Sequence, residues 1–237
     1  MNADGPAAQM GPLRGRDQGT AANISGYLTN MTQDVEINLM RNLWGGDCNR
    51  VGVDFMAGFR WFRFQDGLVF GAERQNDHTT YAGDWLYFND HITNDLFGGQ
   101  IGINANYRFA DNWKVFVTPV VGIFDNHMTL DYNLYAVSST TGQQYQGSSS
   151  TYTNPNYPVH ATNDGFSFLT QVDVGLDWQI SRHVATQIGY RVVAVTGMGL
   201  SDSQIPFYGN DTQAISKIQH GDSLLLHGAV GGLTFTW

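Results

Sequence analysis

The sequence has almost no cysteine, little proline and few charged residues of the helix-forming kind. Its 237 residues include one cysteine, Cys48, and six prolines. A lone cysteine excludes an intrachain disulfide and a cysteine-based zinc site. Only Glu36 and Glu73 among the 21 acids are Glu, and only Lys114 and Lys217 among the 12 bases are Lys. Glu and Lys favour helices whereas Asp does not, so long solvated helices are disfavoured. No run of about 18 apolar residues occurs, which excludes a transmembrane helix. Residues 1–20 lack the apolar core of a signal peptide. A net charge of −9 offers no basic face for phosphates, which excludes nucleic-acid binding.

What the sequence does hold is period-two alternation. Val51, Val53, Phe55, Ala57, Phe59 and Trp61 share one face, with Gly52, Asp54, Met56, Gly58 and Arg60 on the other. The pattern recurs over 97–109, 113–123, 166–178, 184–194 and 225–237, and an earlier strand runs roughly from Tyr27 to Leu43. Across the six later strands the apolar face carries no Asp, Glu, Lys or Arg. Such alternation fits a soluble sandwich or small barrel with the apolar face inward. It fits equally a membrane barrel with that face toward lipid.

Three features favour the membrane barrel. The strands run about 13–15 residues, against about 5–6 in globular sheets, and about 13 tilted residues rise roughly 33 Å, enough to span a bilayer core. Short links at 44–50, 110–112 and 181–183 alternate with long ones at 62–95, 124–165 and 197–222, as in outer-membrane barrels. Trp44, Tyr107, Phe109, Trp113, Trp178, Phe235 and Trp237 gather at the short-link end, where an aromatic girdle would meet lipid headgroups. The reading is all-β: one antiparallel transmembrane β-barrel of about 8–10 strands, spanning 25–237 after a flexible segment 1–24. Seven strands are visible, an odd number, so one or more upstream strands is expected to complete the barrel.

The chain ends Gly-Leu-Thr-Phe-Thr-Trp. This resembles the carboxy-terminal strand that outer-membrane proteins present to their assembly machinery, although an ordinary amphipathic last strand reads the same way. The stretches VEINL (35–39), AGFRWFRF (57–64) and NDLFGGQIG (94–102) support a narrower resemblance. Over about residues 33–125 the chain is similar to the planctomycete family of outer-membrane β-barrel porins. In that family a Glu-x-Asn-Leu strand precedes a Gly-Phe/Tyr-Arg strand and then an Asn-x-Phe-x-Gly-Gln segment. Its members carry additional strands before the first of these, where this chain has only its Gly/Pro-rich 1–24. The resemblance implies a bacterial outer-membrane location. The barrel reading adds long loops facing outside, membrane lipids and the assembly machinery as partners, and a homo-oligomer as a further partner state.

The polar face would line the lumen. Its acids are Asp34, Glu36, Asp54, Asp173 and Asp177. Its bases are Arg60, Arg108, Lys114 and Arg191, with Gln100 and Asn104 beside them. In a barrel of about eight strands these groups form a buried ion-pair network; in a wider one they line a water-filled channel. Strand number decides between the two. The long links are acidic, with Asp77, Asp84, Asp90, Asp95, Asp164 and Asp211 among twelve acids against three bases. Such a mouth would concentrate cations within a Debye length of about 8 Å, while a plain solvated surface has the same composition.

Asn-Asp recurs in the long links at 76–77, 89–90, 94–95, 163–164 and 210–211. Oxygen-rich loops can hold calcium, but no EF-hand spacing is present and Asn and Asp are ordinary turn residues. Turn chemistry is favoured, and no cofactor or metal is expected. Asn-Asp-His occurs twice, at 76–78 and 89–91, so a rim hydrolase using His78, Asp90 or His91 is conceivable. No Gly-x-Ser-x-Gly nucleophile motif accompanies it. The expected function is a non-enzymatic porin for passive diffusion of small solutes or ions. The alternative is a non-conducting structural or surface-assembly barrel.

Overall fold

Two-residue alternation with almost no helix-forming charge leaves the chain one way to satisfy its backbone, which is strand pairing. The structure, a computed structural model, describes residues 21–45, 50–74, 83–146, 157–205 and 212–235. Its long strands are β1 (Ala21–Trp44), β2 (Val51–Arg74), β3 (Trp85–Ala110), β4 (Trp113–Val137), β6 (Val159–Gln179), β7 (Val184–Met198) and β8 (Asp222–Phe235). All pair antiparallel in the order β1-β2-β3-β4-β6-β7-β8, and the short β5 (Gln144–Gln146) adds to the end of β4. The sheet curls into a half-barrel. Across its concave side Arg60 of β2 donates to Gln171 of β6 at 2.7 Å, and Arg191 of β7 lies 3.7 Å from Glu36 of β1.

The strands are longer than the alternation predicts. Residues 62–74, 85–95, 124–137 and 159–165 continue β2, β3, β4 and β6, so the long links shrink to 75–84, 138–158 and 199–221. Their outward rows change character abruptly. Below Trp61 and Phe97 the outer face is apolar and exposed, with Phe59, Ile101, Val121 and Val174 among its members. Above them the rows read Arg63–Asp95–His127–Asp164, then Gln65–Thr93–Thr129–Thr162, then Gly67–His91–Asp131–His160. The inner face changes in the opposite sense. Polar groups such as Arg60 and Gln100 give way to Phe62, Phe64, Leu96 and Phe124, all nearly fully buried. The lower sheet is thus polar inside and apolar outside, and the upper sheet is the reverse.

Two apolar clusters fill the upper concavity. One joins Phe62, Phe64, Leu96, Phe124, Leu169, Val195 and Met198; the other, above it, joins Phe88, Ile92, Met128, Leu130, Tyr132 and Leu134. The connection between β7 and β8 folds inward to complete the second cluster. It carries a turn of 3-10 helix (Ser201–Gln204) and a single helical turn (Thr212–Ile215), and it buries Ile215 and Ile218 in that cluster. Gly197 starts the inward bend with φ +80°, and a Cβ there would sit 2.4 Å from the Phe166 carbonyl oxygen. Only glycine fits both demands.

Candidate functional site: the interior of the barrel

Because side chains alternate across a strand, every second residue of the lower sheet is delivered to the concave side. The network there begins at β1. Asp34 accepts from Arg60 Nε at 2.8 Å, and Arg60 then crosses to Gln171. Gln171 donates to Asp173 at 3.0 Å, and Asp173 receives both Nε and Nη2 of Arg191, at 2.9 and 2.8 Å. Glu36 completes the loop, accepting from Gln100 at 2.8 Å and facing Arg191. One guanidinium thus ties β1, β2 and β6, and a second ties β1, β6 and β7. The Arg60 side chain has no exposed surface, so its charge is held by partners rather than water.

A second polar tier lies nearer the short links. Asp54 accepts from Asn42 at 2.9 Å, and Asn104 donates to Thr118 at 2.7 Å. Lys114 stands opposite Asp177 on β6 and opposite Arg108 on β3. The sequence-derived inner residues therefore all lie on strands, but Arg60, Gln100, Asp173, Arg191 and Glu36 form one connected network while Asp54 and Asn104 sit in another. Sequence reasoning missed Gln171, the bridge between opposite walls, because a glutamine in an alternating strand carries no charge signal. It also missed the apolar filling above.

The residues expected at the aromatic rim point outward at the short-link end. Trp113 and Trp178 stack with centroids 5.4 Å apart, and Phe109 lies 6.5 Å from Trp113. Trp44, Tyr107 and Phe235 are exposed on the same face; Trp237 lies outside the described residues. A second aromatic border closes the apolar belt above, where Trp61 stacks on Phe97 at 6.2 Å. From Phe97 to Phe109 the belt rises roughly 30 Å at ordinary strand rise and tilt, near the height of a lipid-facing band.

The acids expected at one rim do not share one. Asp77 and Asp211 lie outside the described residues. Asp84 is buried and accepts from the Ser139 backbone N–H at 2.8 Å. Asp95 lies on the outer face of β3, bonded by Arg63 Nε at 2.7 Å. Burial raises its carboxyl, but the hydrogen bonds from Arg63 and Trp61 outweigh this and hold it below the usual carboxylate range. Asp164 is also outside, 2.6 Å from His127, and Asp90 is buried inside the upper sheet. The reason is strand length. Asn-Asp at 89–90, 94–95 and 163–164 lies within β3 and β6 instead of in turns, so each Asn and its Asp face opposite sides. The same geometry separates Asp90 from His91, so these two do not converge on one site; His78 lies outside the described residues. Among the described residues no group of three or more His, Cys, Asp or Glu is arranged to hold a metal ion.

No curated protein matches the chain. Residues 22–221 match the family described as Putative beta barrel porin-7, a span that takes in the strands from β1 to β7, with the polar interior they carry, and stops before β8. The chain belongs to this β-barrel porin family.

Proposed function

We propose that the protein is a closed barrel of the bacterial outer membrane, with its long-link end outside. In this reading it serves as a structural or surface-presenting member of its family instead of a channel for passive diffusion. The observation that carries the reading is the filled interior. Arg60 and Gln171, reaching from opposite walls, are each 2% exposed, and two apolar clusters are stacked above them. A water-filled pore would leave its charged lining wet; about eight strands leave room for side chains and little else. The exposed apolar belt between two aromatic borders supports the membrane setting. Above it the upper sheet stands as a tower with a polar outside and a dry inside, suited to water on its outer face.

Passive diffusion of ions or small solutes is the second reading, favoured by membership of a porin family. Purified protein in planar bilayers separates the two. The closed barrel shows no single-channel steps at neutral pH, and regular steps over a wide voltage range reject it. If steps appear, the near-balanced charges of the inner network predict weak ionic selectivity.

A further inference from the structure

Beneath the inturned segment lies a carboxyl group with nothing to hold its charge. Asp90 is 1% exposed, and neither of its oxygens has a hydrogen-bond partner among the described residues. Its cross-strand neighbour on β4 is Tyr132, fully buried, whose hydroxyl is likewise unpartnered. β2 turns Asp66 to the same inner face one row away, and the 3-10 turn adds Asp202. Tyr157 packs on Tyr132 at 6.1 Å. The 212–218 stretch contributes apolar Ile215 and Ile218 to the same cluster. The charges that act on Asp90 among the described residues are both negative.

The segment that covers this pocket is held by a few identifiable bonds. Asn94 Nδ2 donates to the Gly199 carbonyl at 2.8 Å, and the Gly199 N–H returns a bond to Asn94 Oδ1 at 2.9 Å. The Ser201 N–H and hydroxyl both donate to Asp66, at 2.8 and 2.7 Å. Gln204 and Gln219 clasp the two arms of the segment, the Gln219 N–H donating to Gln204 at 2.9 Å.

We infer that Asp90 is a proton-operated latch: protonated, it lets stretches 199–205 and 212–221 seat in the upper barrel, and ionised, it favours their release to water. The inference rests on the closed-barrel reading for its consequence, since release would unplug the upper half. An ionised carboxylate needs hydrogen-bond donors, and among the described residues the seated segment places none on Asp90. Burial, then the Asp66 and Asp202 charges, push the Asp90 carboxyl up to about 8. Released to water it returns to the ordinary value of about 4. The seated form therefore holds the proton more tightly. Seating is at full strength below about pH 4, weakens by up to about tenfold per pH unit as pH rises to about 8, and is level above that.

Hydrogen exchange read by mass spectrometry tests this on the full chain in detergent micelles. Protection factors, which remove the intrinsic pH dependence of exchange, are compared for peptides containing the Gly199, Ser201, Gln219 and Gly221 amides. In the wild type they fall by up to about tenfold per unit between about pH 5 and 8 and level off above. Asp90→Asn keeps them high and flat, because its side chain has no proton to lose. Asp202→Asn removes one repelling charge, so levelling-off comes at lower pH. A flat wild-type profile, or an unchanged slope in Asp90→Asn, overturns the latch. Bilayer currents recorded alongside keep the two readings apart. Steps at neutral pH with the exchange slope intact reject the closed barrel alone, and silence with a flat profile rejects the latch alone.

Discussion

Arg60 shows how one residue can commit a barrel interior. Its guanidinium has no exposed surface and is bonded to Asp34 and Gln171 on opposite walls. Removing it leaves the partly exposed Asp34 without its partner and the buried Gln171 amide oxygen without a donor, whereas a well-packed apolar side chain often replaces a buried ionic group at little cost. Arg60→Ala should therefore lower stability by about 1–3 kcal/mol in urea unfolding of the detergent-refolded protein. Asp34→Asn with Arg60→Met should recover much of that loss. Gly197 acts through the backbone. Gly197→Ala forces a left-handed residue against the Phe166 carbonyl, and about 1–3 kcal/mol of destabilisation is expected. Exchange should report it chiefly in 199–221. Asp95 gives the opposite pH sign to Asp90. Its lowered carboxyl stabilises the fold above the usual carboxylate range and loses that contribution as pH falls through it. The Arg63 side chain is 36% exposed, so Asp95→Asn should cost under about 1 kcal/mol at neutral pH in the same unfolding measurement.

At the scale of the element, each of β2, β3, β4 and β6 is two strands in series. In β3 the outward residues are Phe97, Ile101, Ile103 and Tyr107 below, but Asp95, Thr93, His91 and Asn89 above. The inner face mirrors this, with Gln100 and Asn104 below and Leu96, Ile92, Phe88 and Leu86 above. The solvent outside explains the inversion: lipid rewards apolar groups on the outer face, and water does not. Arginine scanning along one outward row distinguishes the halves. Ile103→Arg and Val174→Arg should each cost about 2–4 kcal/mol if they sit near the midplane. Thr93→Arg, five outward positions above Ile103, should fall within about 0.5 kcal/mol of wild type, as substitutions on a water-facing surface usually do. On the inner face Leu130→Ala should cost about 2–5 kcal/mol, the price of a cavity in a dry core.

For the whole molecule, strand direction constrains closure. β1 and β8 form the two edges of the sheet and both run from the long-link end to the short-link end. Placed side by side they would pair parallel, so antiparallel closure takes an odd number of further strands between them. A second copy in the same membrane orientation offers edges of the same direction and cannot close the gap antiparallel. Single cysteines at Leu39 on β1 and Leu225 on β8, both exposed, should therefore fail to cross-link between copies in bilayers. An efficient β1-to-β8 intermolecular disulfide would show that copies pair through these edges.

The lower half of the molecule could be read from the amino acids alone. Phe97 to Phe109 alternates so regularly that strand, tilt and apolar face follow from spacing, because a two-residue period admits no other regular backbone. The aromatic border at Trp113 and Trp178 follows for the same reason. The upper half could not be read this way. Past Trp61 the apolar residues move from odd to even positions, so Phe62 and Phe64 look like the end of a strand when one outward face is followed. Whether Asp90 and Asp95 belong to a loop or to opposite faces of one strand depends on that continuation. Composition also leaves open whether Arg60 meets water or Gln171, since these residues are 111 apart in sequence. Alternation fixes which side of a strand a group takes. Only the curvature of the sheet decides what stands across from it, because that distance is set by contacts between strands that no local pattern encodes.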